Sequence, residues 1–411
     1  MKILYVSYDG MTDPLGRSQV IPYLEGLSRA GHEICLMSCE KPGRFEKFRE
    51  TIQAQLDRAS IKWVPLHYTS SPPVISTVMD IMTMRKNAQK LYAIHHFDVV
   101  HCRSYIAAFT GLAMKQKFGC QFVFDMRGLW ADERVDGGLW NLKNPLFKTI
   151  FTYFKKKERD FLLAADKIIS LTNNAKSEIS GWDYFKGLEN KIQVIPCCCD
   201  MALFDKTKTQ QSTDLLRKKL QISGNDFIVS YLGSIGTWYL TDEMIRFFTQ
   251  MKTVIPSARF LYITQDDKEI IINKSTSSGI PGNDIFVIAA NRDEVPALLG
   301  LSNISLFFVK QAYSKKASSP TKMGEIMSMG IPLICNSGIG DVDRILQDAG
   351  VGLVVGDFSE DTFSETINNI SGLLTTDPAY IRSQAAKFYS LETGINLYEK
   401  VYDELSESVH A

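Results

Sequence analysis

The sequence has no surplus of charge of either sign. Its 411 residues carry 46 Lys and Arg against 46 Asp and Glu, so the formal net charge at pH 7 is zero. Nucleic-acid-binding domains usually show a basic excess, so no nucleic-acid partner is expected. Long apolar runs are missing too: nothing approaches the roughly 18 consecutive apolar residues of a membrane span. The opening MKILYVSYDG lacks the extended apolar stretch and small-residue cleavage site of a signal peptide. Metal-knuckle cysteine spacing is also absent. Three of the eight cysteines, Cys197, Cys198 and Cys199, are adjacent, and sequence neighbours rarely bridge. They read as packing residues with free thiols, in a reduced cytoplasmic setting. Internal repeats and low-complexity tracts are lacking.

What is present is an ordinary globular composition, 45% hydrophobic and 22% charged, in a chain too long for one core. Short apolar runs alternate with helical spacing. Residues 2–8 read as a strand, 9–16 as a loop, and Val20, Ile21, Leu24 and Leu27 as a helix face closed by Gly31. Further strands are predicted at 33–37, 98–101, 121–125, 167–171 and 192–195. After a polar, lysine-rich stretch at 200–225, strands resume at 227–233, 259–264, 284–289, 304–309 and 331–335. Strands alternating with helices imply parallel sheets covered on both faces. The expected fold class is α/β, with two Rossmann-like lobes facing a central cleft. The lobes are placed at 1–200 and 201–389, with a terminal helix over 390–411 packing back on the first.

The most informative segment is Ser318-Ser319-Pro320-Thr321-Lys322-Met323-Gly324-Glu325, followed by Ile326 to Ile334. Ser319 is suited to an N-cap, Pro320 to the first helical position and Gly330 to the helix end. A helix N-terminus there would suit a phosphate. Lys322 in the first turn opposes the helix dipole, so an anionic ligand would give it a purpose. Glu325, one turn on and expected to be exposed, is placed to accept from ribose hydroxyls. An ordinary capped helix with a surface lysine explains the same letters equally well.

This segment resembles the nucleotide-binding signature of glycosyltransferase family 4, whose members often read Ser-Pro-x-Lys, then Glu, then Met-Ala-x-Gly-x-Pro-Val. Other stretches match the family in the same order. Leu15-Gly16, running to Ala30-Gly31-His32-Glu33-Ile34, is similar to its opening glycine loop and helix. Asp98-Val99-Val100-His101-Cys102-Arg103-Ser104 is similar to Asp-Val-Val-His-Ala-His-Ser, and Asp125-Met126-Arg127-Gly128-Leu129-Trp130 to an Arg-Asp-Leu-Trp variant. Ile195-Pro196, with Asp200 and Phe204, resembles the family's segment before the linker. The resemblance implies the GT-B fold and a retaining, metal-independent transfer of a sugar from a nucleotide-sugar donor to a glycan or lipid-linked acceptor, in surface polysaccharide assembly. The nucleotide sugar is a substrate, and no cofactor is implied. Arg103, Arg127 and Lys322 are the implied catalytic residues. Gly16, Gly233, Ser234, Arg292, Ser319, Thr321, Lys322 and Glu325 are the implied nucleotide-sugar contacts.

Several positions depart from the family. Its motif often has a first Glu eight residues before the second, where this chain has Ala317. Gly233-Ser234-Ile235-Gly236 lacks the basic residues that hold a diphosphate elsewhere, so Lys310, Lys315, Lys316 and Lys322 become the candidates. Arg103 replaces the family's second His and would suit a donor phosphate or an acidic sugar, or pair with a structural carboxylate. His101 ends a buried strand and reads as structural. Asp132, Glu133, Arg134 and Asp136 form a charged loop that would meet the acceptor or solvent. Arg292 would serve the base, or its segment would cap a helix. Asp341-Val342-Asp343 resembles a metal motif of another transferase fold, yet following Gly338 and Gly340 it reads as a helix opening, so no metal site is assigned. Residues 145–163 put Phe147, Ile150, Phe151 and Phe154 at helical spacing beside Lys155, Lys156 and Lys157. That pattern fits a helix packed on the sheet, with peripheral contact to an anionic membrane as the second reading. A nucleotide-sugar epimerase, a phosphorylase of the same fold and a non-catalytic binding relative remain open at this point.

Overall fold

The computed structural model describes residues 1–410. Seven strands form the first sheet: β1 (Lys2–Ser7), β2 (Glu33–Glu40), β3 (Lys62–His67), β4 (Val99–Arg103), β5 (Gln121–Asp125), β6 (Lys167–Ser170) and β7 (Ile192–Val194). Their order is β3-β2-β1-β4-β5-β6-β7, and every pairing is parallel. Six more form the second: β8 (Phe227–Leu232), β9 (Ala258–Ile263), β10 (Ile285–Ile288), β11 (Ile304–Phe307), β12 (Leu333–Asn336) and β13 (Gly352–Val355), in the order β10-β9-β8-β11-β12-β13. This sheet is parallel throughout as well. Both are doubly wound: the strand order reverses between β1 and β4 in one and between β8 and β11 in the other. Connections leave in opposite directions from such a point, so the carboxyl ends of the two strands splay and leave a crevice.

β3 and β13 are strands that the apolar runs do not announce. Both are sheet edges. β3 carries Pro65 and is mostly half-exposed, while β13 has four residues and opens on Gly352. An edge strand needs less apolar surface and tolerates proline, so its periodicity is weak.

The chain divides into two compact units. The first comprises residues 1–197, Tyr313–Ser318 and the Leu391–His410 helix; the second comprises Cys198–Ala312 and Ser319–Ser390. The boundary falls at 197/198, and six residues from the middle of the second half group with the first unit. Within that unit Ser314 N–H donates to Asp136, Lys315 Nζ pairs with Glu133 at 2.7 Å, and Lys316 Nζ pairs with Glu178 at 2.8 Å. Ala317, where the family's first acid would stand, is buried in the first unit's apolar core.

The charged stretch after β5 is the helix Trp130–Asp136, not a loop. Its acids are taken up internally. Asp132 accepts from Lys155, Glu133 and Asp136 hold the 313–318 segment, and Arg134 lies over the Trp130 ring at 4.7 Å. Pro145–Ala164 is a helix, as its spacing predicts, capped by the Asn144 side chain. Lys155 also pairs with Glu158, and Lys157 with Asp160. Among the described residues no helix is long and apolar enough to cross a membrane.

Candidate functional site

In the second unit the site forms at the strand-order reversal. The helix Thr321–Ser328 starts there, with Pro320 rather than Ser319 at its N-cap position and no side chain capping it. Proline has no N–H and its fixed φ ends the preceding extended chain, so it serves as the start without a serine cap. The helix ends in a Schellman pattern: Gly330 N–H donates to Met327 O at 2.9 Å and Ile331 N–H to Ile326 O at 3.3 Å. Gly330 has φ +71°, which suits glycine. Gly324 is required for packing, since a Cβ there would lie 2.8 Å from Tyr389 Cβ.

Lys322 is not a surface lysine. It is 8% exposed and its Nζ has no hydrogen-bond partner among the described residues. The ammonium sits against the ring faces of Tyr239 (3.7 Å to the centroid) and Tyr231 (4.6 Å). It also lies 2.6 Å from where a Cβ on Gly233 would be, so glycine after β8 is what admits it. Burial lowers its pKa to about 7, with the Glu325 charge opposing the shift. A cation held by aromatic faces and lacking an acceptor is poised for an anion.

Glu325 is buried, not exposed: it is 6% accessible and accepts from Arg292 Nη1 at 2.8 Å. The segment after β10 supplies the explanation. Arg292 follows β10, lies over Phe204 at 5.3 Å and reaches down to the helix. The two positions expected to meet the nucleoside are therefore joined to each other. Ser319 and Thr321 are half-buried at the helix start, and Ser234 is exposed in the loop after β8. That loop is pinned by Tyr231 Oη donating to Ser234 O and by Ile235 N–H donating to the Asp266 carboxylate. The buried Asn336 side chain bonds both the N–H and the carbonyl of Val309 after β11, fixing the other lip. Tyr231, Tyr239, Asp266 and Asn336 were not expected. The two tyrosines flank the Gly-Ser-Ile-Gly loop in sequence, which was the available signal; the other two gave none. Lys315 and Lys316, also candidates for the phosphate charge, are ion-paired with Glu133 and Glu178 within the first unit. Asp343 accepts from Gly338 N–H at 3.1 Å and Asp341 faces Arg344 at 3.6 Å, so both serve the start of the Val342–Ala349 helix.

In the first unit the reversal between β1 and β4 gathers a different set. Arg103 ends β4 and is 3% exposed; its Nε and Nη1 make no hydrogen bond among the described residues. Its nearest carboxylates are Asp9 at 3.5 Å and Asp125 at 4.0 Å. Arg127, at φ +57°, reaches Asp125 at 3.7 Å and the Cys197 thiol at 3.3 Å. Asp125 is wholly buried and also accepts from Tyr398 Oη at 3.1 Å. Burial would raise its pKa, but the Arg127 charge, His101 and Arg103 outweigh it and hold the carboxyl below the usual range. His101 bonds Tyr402 Oη at 2.7 Å, and burial holds it neutral, consistent with a structural role. Gly16 lies in the helix Pro14–Gln19, where a Cβ would stand 2.3 Å from Gly10 O. The buried Glu40 fixes that loop by accepting from Met11 N–H, Thr12 N–H, Thr12 Oγ1 and Ser38 Oγ. Glu40 went unnoticed in the sequence, though an acid closing a buried strand is a signal worth reading.

Two doubly wound sheets, each with charged side chains at its reversal, describe a known architecture. The fold is GT-B. The chain is similar over 98% of its length to 98% of a glycosyltransferase from Rickettsia africae, with TM-score 0.72 and 18% identity. It matches sucrose-phosphate synthase from Thermosynechococcus elongatus over 99% of this chain and 100% of that one, with TM-score 0.73 and 14% identity. It also matches HepE of Anabaena, solved with UDP and glucose, over 99% of both chains, with TM-score 0.68 and 13% identity. Residues 20–203 match the family model Glycosyltransferase Family 4. No curated protein matches the sequence.

Proposed function

We propose that this GT-B protein is a retaining glycosyltransferase of family 4 that moves a sugar from a nucleotide-sugar donor to a glycan or lipid-linked acceptor, without a metal ion, in surface polysaccharide assembly at the cytoplasmic side. The observation that carries the reading is the buried Lys322 ammonium, without a hydrogen-bond partner among the described residues, at the first turn of a helix that opens on a sheet reversal. The ammonium, with the first-turn amides of the helix, would hold the donor phosphates and stabilise the charge that grows as the glycosidic bond breaks. Gly233 and Ser234 would lie along the phosphates, with Ser319 and Thr321 at their other side. The Arg292–Glu325 pair would take the nucleoside: Glu325 for the ribose hydroxyls, Arg292 for the base.

The acceptor belongs to the first unit in this reading. Arg103, with two unsatisfied nitrogens, and Arg127 would orient an anionic group of the acceptor or of the reacting sugar, and Gly16 would allow the 10–16 loop to approach it. In a retaining reaction of this kind the leaving phosphate takes the acceptor proton, so no second carboxylate is needed. The match to the family model, and the UDP and UDP-glucose bound to HepE, support the donor class. A thermal-shift panel of UDP, GDP, CMP and their sugars tests it, because a ligand of the folded state raises the melting temperature by mass action. One nucleotide should stabilise the wild type and fail to stabilise Lys322→Met. A panel with no stabilising nucleotide would refute the reading.

A further inference from the structure

The helix Ile75–His95 in the first unit carries an unusual outer face. Ile75, Val78, Met79 and Met82 are between 51% and 64% exposed, and Val74 at its N-cap is 51% exposed. They recur at three- and four-residue steps, so they share one stripe. The stripe continues through Lys86 and Lys90, both exposed. The opposite face, Ser76, Asp80, Met84 and Ala88, is buried. Scattered exposed apolar side chains are normal, but a contiguous row of large ones on a single helix marks an interaction surface.

The charges on this helix are one-sided. Its one acidic residue, Asp80, is turned inward and accepts from Tyr8 Oη at 2.9 Å and Thr69 N–H at 3.1 Å. Arg85 is half-buried against Phe109. The neighbouring helix Ser104–Phe118 contains no acid either; near its end Lys115 pairs with Asp166 and Lys117 follows. The outward stripe is thus apolar for its first two turns and cationic for the next two.

We infer that this face docks on an anionic phospholipid bilayer, with Ile75, Val78, Met79 and Met82 entering the interface and Lys86 and Lys90 meeting lipid phosphates. Flexible methionines adapt to a fluid surface, and long lysine side chains keep their ammonium groups at headgroup level while their stems lie in the apolar layer. A second copy of the chain would have to bury Lys86 and Lys90 with no acid on the helix to pair them. The basic Pro145–Ala164 helix is the weaker membrane element, because Lys155 and Lys157 are already paired with acids. The inference rests on this face alone and stands apart from the nucleotide reading.

Co-sedimentation with phosphatidylcholine vesicles, with and without phosphatidylglycerol, tests it on the full chain. The wild type should bind the anionic vesicles and scarcely the neutral ones. Lys86→Glu with Lys90→Glu should weaken anionic-vesicle binding by about tenfold or more. Met79→Asp with Met82→Asp should abolish it. All four positions are exposed, so melting temperatures should match the wild type. A wild type that ignores anionic vesicles, or double variants that bind them unchanged, overturns the inference. So does a wild type that is dimeric by light scattering and becomes monomeric on Met79→Asp with Met82→Asp, which assigns the face to self-association. Shifts with UDP, GDP, CMP and their sugars are recorded on the same samples: a wild type that binds vesicles but none of these leaves this inference intact and removes the other.

Discussion

At the scale of single residues, Lys322 sets function against stability. Burial holds its pKa near 7, against about 10.5 in an unfolded chain. Below pH 7 the group is charged in both states, and the folded state bears the full cost of the buried charge. Between about pH 7 and 10.5 the unfolded chain holds the proton and the folded one does not, so this contribution to stability improves as pH rises. Lys322→Met should therefore raise the melting temperature of the second unit at pH 7 by about 4 °C or more, since 1 kcal/mol is worth about 2–4 °C in a folding unit of about 150–250 residues. The difference between variant and wild type should shrink towards about pH 9.5. Nucleotide diphosphate affinity should run the other way, falling in the wild type as pH rises through 7 and lying flat and weak in the variant. Calorimetric titration at several pH values measures both slopes, and parallel profiles would remove Lys322 from the phosphate site. Glu325→Ala removes the acceptor for Arg292, which is 40% exposed and can be rehydrated. The expected stability loss is about 1 kcal/mol, and nucleotide affinity should fall about tenfold. Unchanged affinity would place the nucleoside elsewhere.

At the scale of elements, loops at the sheet reversals are held by buried polar side chains from neighbouring strands. Glu40 at the end of β2 bonds the 11–12 loop, and Asn336 at the end of β12 bonds Val309. Glu40→Ala would strand the Met11 and Thr12 amides in a buried place. Destabilisation of about 3 kcal/mol is expected, along with faster amide exchange across residues 10–16. Glu40→Gln keeps one of the two acceptor oxygens but sets an amide NH2 against the donors of the other, so it should recover only part of the loss. A Glu40→Gln variant as stable as the wild type would mean that the second oxygen is not needed as an acceptor.

At the scale of the whole molecule, the first unit is completed by the far end of the chain. Tyr398 and Tyr402 from the Leu391–His410 helix bond the buried Asp125 and His101, and Ile395 fills the space above Gly26. Truncation after Ser390 would leave those groups exposed or unpartnered. Amide exchange should rise in β4 and β5 while β8 and β9, in the other unit, keep their protection. Uniform loss of protection would mean that the units do not fold separately. The metal question also belongs at this scale: glycosyl transfer should survive exhaustive EDTA. Loss of activity restored by Mg²⁺ or Mn²⁺ would bring Asp341 and Asp343 back into the chemistry.

The doubly wound architecture was legible because eleven of the thirteen strands are short apolar runs separated by helical spacing, the pattern of parallel strands covered on both faces. β3 and β13 were not: β3 is interrupted by Pro65 and mostly half-exposed, and β13 is four residues long and opens on a glycine. The letters Ser319 to Glu325 marked a helix opening near a phosphate site, and the helix is there. What they could not reveal is which way each charge faces. Lys322 looks like a surface lysine until Gly233, Tyr231 and Tyr239, some 80 to 90 residues earlier, are brought around it. Glu325 looks exposed until Arg292 closes on it. The run Lys155-Lys156-Lys157 leaves membrane contact open as a second reading beside packing, and the structure shows Asp132, Glu158 and Asp160 taking two of its three charges. Apolar periodicity is a local property that one segment carries by itself. The partner of a charge is a long-range property, chosen by how separate segments pack, and only the tertiary structure decides it.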